Sequence, residues 1–316
     1  MKGKYLYGII RKDENHNISL DGLTIISHQG LAAVVEDKEF KDYHKLPKEE
    51  TIKELISHQK IIEKIMEHSP ILPVKFGTIL KDEEEVKTAL EKGYFLLRNA
   101  LRKIEDKIEL DLVCFWNEEK AAQMAFQESK KVKNYYKKIT SEGAEEKIAL
   151  GKLVADYLAS KKEKISLQIS KALKKETVES CSHALADVNM LLNQAFLVEK
   201  KREESFNHTL NQLDSRFASL INFRLVGPLP PYSFATFVID SLDEKEVEKA
   251  RTTLKLTGQL DMEKLKQTYD ALAMKLHPDK GGIPLEFELA TAAYKLMRNF
   301  IENGLIAVSL YTWEER

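Results

Sequence analysis

The spacing of apolar positions changes several times along the chain, and each change marks an element. Tyr5-Leu6-Tyr7-Gly8-Ile9-Ile10 is aromatic and β-branched and predicts a strand. Residues 23–27 and 31–35 predict two more, with His28-Gln29-Gly30 suited to a tight hairpin between them. From Lys48 the period becomes helical: Ile52, Leu55, Ile56, Gln59, Ile62 and Ile65 fall at helical spacing over a predicted helix at 47–68. Pro70 and Pro73 end it and bracket a short strand at 71–76. Asp82 then caps a helix whose apolar positions are Val86, Leu90, Leu97, Leu101 and Ile104.

A second sheet starts at 108–116, where alternation gives way to a solid apolar run. One helix is predicted at 121–139 and another at 144–174, the latter with Leu150, Val154, Tyr157, Leu158, Ile165, Ile169 and Leu173 near one stripe. The two should pack as an antiparallel hairpin across 140–143. Strands at 178–187 and 190–198, an amphipathic helix at 203–218 and a strand at 220–226 complete a βαββαβ succession. From Asp243 the chain turns charged and helical. It has a helix at 244–256, an Asp261-capped helix carrying Leu265, Tyr269, Leu272, Ala273 and Leu276, a loop enforced by Pro278 and Gly281-Gly282, and a helix at 287–300. The expected fold class is α+β. Two ferredoxin-like α/β domains occupy 1–108 and 109–240, the second with a helical, coiled-coil-like insertion at about 120–175. A small all-α domain follows at 244–303, and 304–316 is a tail.

Composition narrows the functions. The 316 residues leave room for two or three cores. With 49 basic against 50 acidic residues the net charge is −1, so no global field draws the chain to nucleic acid or an anionic membrane. The lysines of the helical hairpin are nearly balanced by glutamates and read as a solvated face, not an RNA-binding one. Cys114 and Cys181 lie in apolar stretches and read as buried thiols in a reducing cytoplasm. Neither a signal-peptide pattern nor an apolar run of membrane-spanning length is evident. A cytoplasmic protein without cofactor or metal is expected.

Catalytic patterns are likewise missing from the sequence. His58 and His68 sit among Glu54, Glu63 and Glu67 without metal-ligand spacing, and are expected to be solvated or at a helix end. Asp82-Glu83-Glu84-Glu85 suits a helix start. There is no phosphate-binding glycine loop, nucleophile elbow or recognisable Cys-His pair. The chain is read as a non-enzyme.

The most informative stretch is Arg224-Leu225-Val226-Gly227-Pro228-Leu229-Pro230-Pro231-Tyr232-Ser233-Phe234-Ala235. Three prolines fix φ and withhold amide donors, so the residues alone predict a stiff, polyproline-like corner that cannot enter a sheet interior and that holds Tyr232 and Phe234 outward. From physics alone it is also a turn that closes a domain. The stretch resembles the Gly-Pro-(aromatic)-Pro-Pro-Tyr-(Ser/Asn)-Phe signature of the GvpL/GvpF family of gas vesicle proteins, with Leu229 standing where an aromatic is expected. A second match is Pro70-Ile71-Leu72-Pro73-Val74-Lys75-Phe76-Gly77-Thr78. Together they carry the resemblance over about residues 1 to 240. The motif residues are Pro73, Lys75, Phe76, Gly77, Arg224, Gly227, Pro228, Pro230, Pro231, Tyr232 and Phe234. By themselves Lys75-Phe76-Gly77-Thr78 read as a strand end and a helix-entry turn.

Residues 265–282, with His277-Pro278-Asp279 between two helices, resemble the J-domain of DnaJ-type co-chaperones. Residues 251–256 would be its short first helix and 287–300 its third. Pro278 would fix a tip that presents His277 and Asp279 beside a basic face of Lys264, Lys266 and Lys275, suited to an acidic partner surface. The bland alternative is an ordinary helical hairpin with a Pro-Gly turn. The two resemblances imply an accessory or minor structural protein of gas vesicle assembly. It would bind the hydrophobic major shell protein and other accessory proteins, and could recruit a DnaK-type chaperone. The alternative is a general J-domain co-chaperone whose α/β head binds clients and has no vesicle role.

Overall fold

The computed structural model describes residues 2–12, 22–43, 45–139, 143–217 and 219–312 of an α+β chain. Its elements in order are β1 (Lys2–Arg11), β2 (Thr24–His28), β3 (Leu31–Glu39), α1 (Lys48–Met66), β4 (Leu72–Pro73), β5 (Ile79–Leu80), α2 (Glu83–Lys92), α3 (Tyr94–Ile104), β6 (Lys107–Trp116), α4 (Glu118–Glu128), α5 (Lys130–Tyr136), α6 (Ala144–Leu173), β7 (Glu179–Ser182), β8 (Met190–Glu199), α7 (Glu203–Phe217), β9 (Ile221–Leu229), β10 (Thr236–Ser241), α8 (Glu244–Thr253), α9 (Met262–Leu276), α10 (Pro284–Asn303) and β11 (Ile306–Tyr311). Two compact units emerge. One comprises Met1–Ile62, Val74–Asn99 and Phe237–Leu310, the other Glu63–Pro73, Ala100–Thr236 and Tyr311–Arg316. The stretches alternate between the units, unlike the consecutive division read from the sequence.

In the first unit β1 pairs antiparallel with β3 on one side and β5 on the other, and β2 pairs with β3. Gln29 and Gly30 both take positive φ, which gives the two-residue turn between β2 and β3 the twist that matches the strands. Tyr5, Leu6, Tyr7, Ile9 and Ile10 are all buried, so β1 is covered on both faces. Among the described residues no helix lies between β1 and β2. The described succession at the start of the chain is β1-β2-β3-α1, and residues 13–21 between β1 and β2 lie outside the described residues. The helix expected through 82–104 is broken at Gly93. A Cβ there would lie 3.0 Å from the Phe237 ring and 3.1 Å from Leu97, so the glycine admits a close approach where the helix divides.

The same unit holds α8, α9 and α10 around Val247, Leu254, Leu256, Leu265, Ala290, Ala293 and Met297. The helix expected to reach 256 stops at Thr253, because Lys255 turns left-handed and Leu256 folds into this core. Residues 251–256 are thus a helix end and a turn, not a short helix of their own. The tail expected at 304–316 contains β11, which pairs with β10. Lys92 Nζ donates to the carbonyls of Asn303 (2.5 Å) and Ile306 (2.8 Å), tying the end of α2 to the approach to β11.

The second unit is an antiparallel sheet in the order β7-β8-β6-β9. One face, with Leu110, Leu112, Cys114, Phe196 and Val198, packs against Ile165, Ile169 and Leu173 of α6 and Phe206 and Leu210 of α7. The helix expected at 121–139 is two helices. Ser129 is buried between them and accepts from Val132 N at 3.3 Å, capping α5. Helix α6 is joined to α4 through Glu128, which accepts from Tyr157 Oη and Lys161 Nζ at 2.6 Å each. Residues 140–142 of the expected hairpin turn lie outside the described residues. No described helix is long and apolar enough to cross a membrane.

Candidate functional site

The Pro-rich stretch begins inside the sheet. β9 runs through Gly227 and Pro228 to Leu229, as an edge strand with an irregular register between Glu109 and Asp111 of β6. An edge with a bulge is where proline is tolerated, because no ladder donor is required there. The Gly227–Pro228 peptide is cis, and Gly227 takes φ +144. A Cβ at 227 would meet Glu109 O at 2.8 Å and Leu110 Cδ2 at 2.7 Å, so glycine is what lets the strand come this close. Arg224, Gly227 and Pro228 are exposed, while Leu229, Pro230 and Pro231 are buried. The expected polyproline rod is not there. Pro230 O accepts from Tyr232 N at 2.7 Å, and Pro231 O accepts from Phe234 N and Ala235 N at 3.1 and 2.9 Å, closing compact turns.

That turn covers the second face of the sheet. Phe234, expected to point outward, packs on Cys181, Ala195 and Leu197. Tyr232 is half-buried and its hydroxyl oxygen is enclosed. Under the turn, Glu109 is 1% exposed. Its carboxyl accepts from Ser233 N at 2.8 Å and Ser233 Oγ at 2.7 Å, and His183 Nε2 lies 3.3 Å from the same Oγ. Burial first, and then the neighbouring Asp111 carboxyl, push the Glu109 acid up to about 8. Asp111 is also raised, by burial. Glu109 is therefore held as a neutral acid at neutral pH, bonded to both polar groups of Ser233.

The other motif lies on a second polar core. Pro73 closes β4 and is buried. Val74 N donates to Tyr7 O at 3.0 Å and Lys75 N to Phe237 O at 2.9 Å. Phe76 stands edge-on to Tyr43 (4.9 Å between centroids) and His58 (5.4 Å). Gly77 takes φ +84, and its N–H donates to Tyr5 Oη at 3.4 Å. Tyr5 Oη lies 2.9 Å from His58 Nδ1, completing a relay from the motif backbone to the imidazole. His58 is 2% exposed, which corrects the expected solvated position. Burial, and next the charge of Lys38, lower its pKa to about 4, so the ring is neutral. Lys38 Nζ stands 4.5 Å above the Tyr5 ring and 3.2 Å from Glu36, and Glu36 accepts from Tyr7 Oη at 2.5 Å. Burial raises both tyrosines.

Gly77→Ala is expected to cost about 1–2 kcal/mol, because it combines a left-handed φ with a Cβ 3.0 Å from Tyr43. The readout is a Tm lowered by several degrees. An unchanged Tm would contradict this packing.

The third group is His277-Pro278-Asp279, a single 3-10 turn after α9. The His277 ring accepts from Asp279 N at 3.2 Å and stands edge-on to Phe287 at 5.2 Å. Asp279 and Pro278 are exposed, as are Lys266 and Lys275. Lys264 is half-buried, and its Nζ bonds the carbonyls of Thr257 and Gln259, so it serves the loop before α9 instead of an open basic face.

Sequence reasoning missed Glu109, Ser233, His183, Tyr5, Tyr7 and Glu36 as members of these networks. The signal for Glu109 was an acid inside an apolar strand. For His58 it was an imidazole four and seven residues ahead of Ile62 and Ile65, the positions that are buried on α1. Among the described residues no group of three or more His, Cys, Asp or Glu is placed to hold a metal ion.

These two cores belong to the part of the chain that has known relatives. Gas vesicle protein F of Nostoc sp. (strain PCC 7120) is 28% identical over 243 residues, 74% of this chain and 98% of the relative. The protein of the same name from Streptomyces sp. (strain CB03234) is 26% identical, covering 73% of this chain and 98% of the relative. Among solved structures, the gas vesicle protein GvpF of Anabaena sp. PCC7120 superposes with a TM-score of 0.62 at 23% identity, over 74% of this chain and 98% of that one. That from Microcystis aeruginosa gives 0.58 at 22%, over 73% and 98%. The profile described as gas vesicle synthesis protein GvpL/GvpF matches residues 3–236, which contain both motifs, and the chain belongs to that family.

Proposed function

We propose that this chain is a non-enzymatic accessory or minor structural protein of gas vesicle assembly, working in the cytoplasm and at the vesicle. In this reading it binds the hydrophobic major shell protein, with other accessory proteins, before or during shell growth. The observation that carries the reading is the family match over residues 3–236. The way the motifs are used supports it. Glu109 and Ser233 pin the corner, and Gly77, Tyr5 and His58 pin the other turn, so their polar groups are occupied in holding backbone. For the second sheet we favour a ferredoxin-like topology, in keeping with its β7-β8-β6-β9 order.

The C-terminal helices suggest a second element of the same function. A turn between α9 and α10 that exposes Pro278 and Asp279, with His277 half-buried beside them, fits a J-like domain that recruits a DnaK-type ATPase. Asp279 would accept from a cationic donor of that partner, with Lys266 and Lys275 meeting acidic groups. The general co-chaperone without a vesicle role is the rival reading favoured by that turn alone. The test is vesicle yield in a producing strain from which the gene has been deleted, complemented with wild type or Asp279→Asn. ATP turnover by the strain's DnaK-type protein is measured in parallel. We expect no vesicles without the gene and restoration by wild type. Asp279→Asn should fold normally but lose ATPase stimulation. Normal vesicles after deletion would overturn the assembly reading. Equal turnover and equal vesicle yield with both proteins would overturn the recruitment step alone.

A further inference from the structure

Helix α10 lies beyond the family match and carries two apolar stripes. Ala290, Ala293 and Met297 face the helical core. The other stripe is Leu285, Leu289, Ala292 and Leu296, spaced 4, 3 and 4 residues apart, the spacing of a coiled-coil seam. Leu285 and Leu289 are 63% and 53% exposed, Ala292 is exposed, and Leu296 is half-buried, with one side packed against the helical core and the other open at the end of the stripe. This seam is about 17 Å long at 1.5 Å rise per residue. Along one flank lie Glu288 and Lys295, both exposed and seven residues apart.

We propose that this stripe is a self-association surface that takes α10 of a second copy in an antiparallel, two-fold symmetric pair. Charge complementarity selects that occupant. In an antiparallel pair the layers would set Leu285 against the second copy's Leu296, and Leu289 against its Ala292, a large side chain facing a small one each time at the centre. With those layers, residues on the same flank meet, and Glu288 falls opposite the second copy's Lys295. The two-fold repeats the pair, so both charges on each helix are matched. A parallel pair would instead set Glu288 and Lys295 against Ala293 and Phe300, with no charge partner. The register is thus specified twice, once by the apolar layers and once by the flank charges. A seam of four layers is short, so the pair should form and dissolve with concentration.

The experiment is sedimentation equilibrium of the full chain from micromolar to sub-millimolar concentration, with circular dichroism to verify helicity. Wild type should pass reversibly from monomer to dimer. Leu289→Lys should remain monomeric at full helicity, because the residue is exposed in the monomer. Glu288→Lys should weaken the dimer at least tenfold by facing Lys295 with a like charge at both symmetric contacts. The double exchange Glu288→Lys with Lys295→Glu should restore it. A wild type that stays monomeric throughout would overturn the proposal. So would a dimer untouched by Leu289→Lys, or a double exchange no better than the single one.

Discussion

Glu109→Ala should cost about 3–5 kcal/mol, the largest single loss expected in the second unit. The substitution leaves Ser233 N–H and Oγ without their carboxyl partner under a buried turn, and opens a void where the carboxyl stood. Glu109→Gln should stay within about 1 kcal/mol of wild type at neutral pH, because the amide can accept from Ser233 and the residue it replaces is already neutral. The two variants differ in their response to pH. The native acid titrates near 8 and the unfolded one near the ordinary glutamate value of about 4.3. Between these values the native state holds a proton that the unfolded state has lost. Stability is therefore full below about pH 4 and declines as pH rises toward 8, by up to about 1.4 kcal/mol per unit. Urea unfolding followed by the fluorescence of buried Trp116, in a Trp313→Phe background, should show this decline in wild type and a weaker one in Glu109→Gln. Identical pH slopes for the two would show that Glu109 is not the buried acid.

His58→Ala should cost about 2–4 kcal/mol in the first unit. It removes a buried ring wedged among Tyr5, Tyr7 and Phe76 and leaves Tyr5 Oη without its imidazole partner. Here the pH dependence has the opposite sense. The native pKa of about 4 lies below the ordinary histidine value of about 6.5. Between them the unfolded state takes a proton that the native ring refuses. The contribution is full above about pH 6.5 and is lost as pH falls toward 4. NMR of the imidazole should show a ring neutral at pH 5.5, and wild type should lose more stability than His58→Ala between pH 7 and 5. A ring that titrates near 6.5 would mean that His58 is solvated.

The outcomes along the chain have physical causes that a linear reading partly contains. The hairpin at 28–30, the helix over 144–173 and the βαββαβ succession of the second unit were legible, because local period and turn chemistry decide them. The breaks at Gly93 and Ser129 were not, since each depends on a residue meeting something distant or on a cap inside an apolar run. The candidate sites fared differently from the elements. The motif positions were visible, but their surroundings were not. Three prolines suggested a rod, whereas a buried acid on β6 draws Ser233 inward and folds the stretch over the sheet. Glu109 and Asp111 alternate with leucines, and that pattern alone assigns them to solvent. Only the turn laid across that face makes it a second core. His58 was misplaced for the same reason: its helix has exposed Ile52, Leu55 and Ile56 on the stripe read as buried, while the histidine faces the tyrosines of β1.

The central claim is that this chain holds the shell protein during assembly. Its most direct test is affinity purification of the tagged chain from vesicle-forming cells, sampled before vesicles mature and again afterwards, with the major shell protein quantified in each eluate. The account predicts specific recovery of the shell protein in the early sample, retained by Gly77→Ala protein under conditions where that variant is folded. Shell protein absent from both samples, at wild-type expression of the tagged chain and with vesicle formation intact, would contradict it.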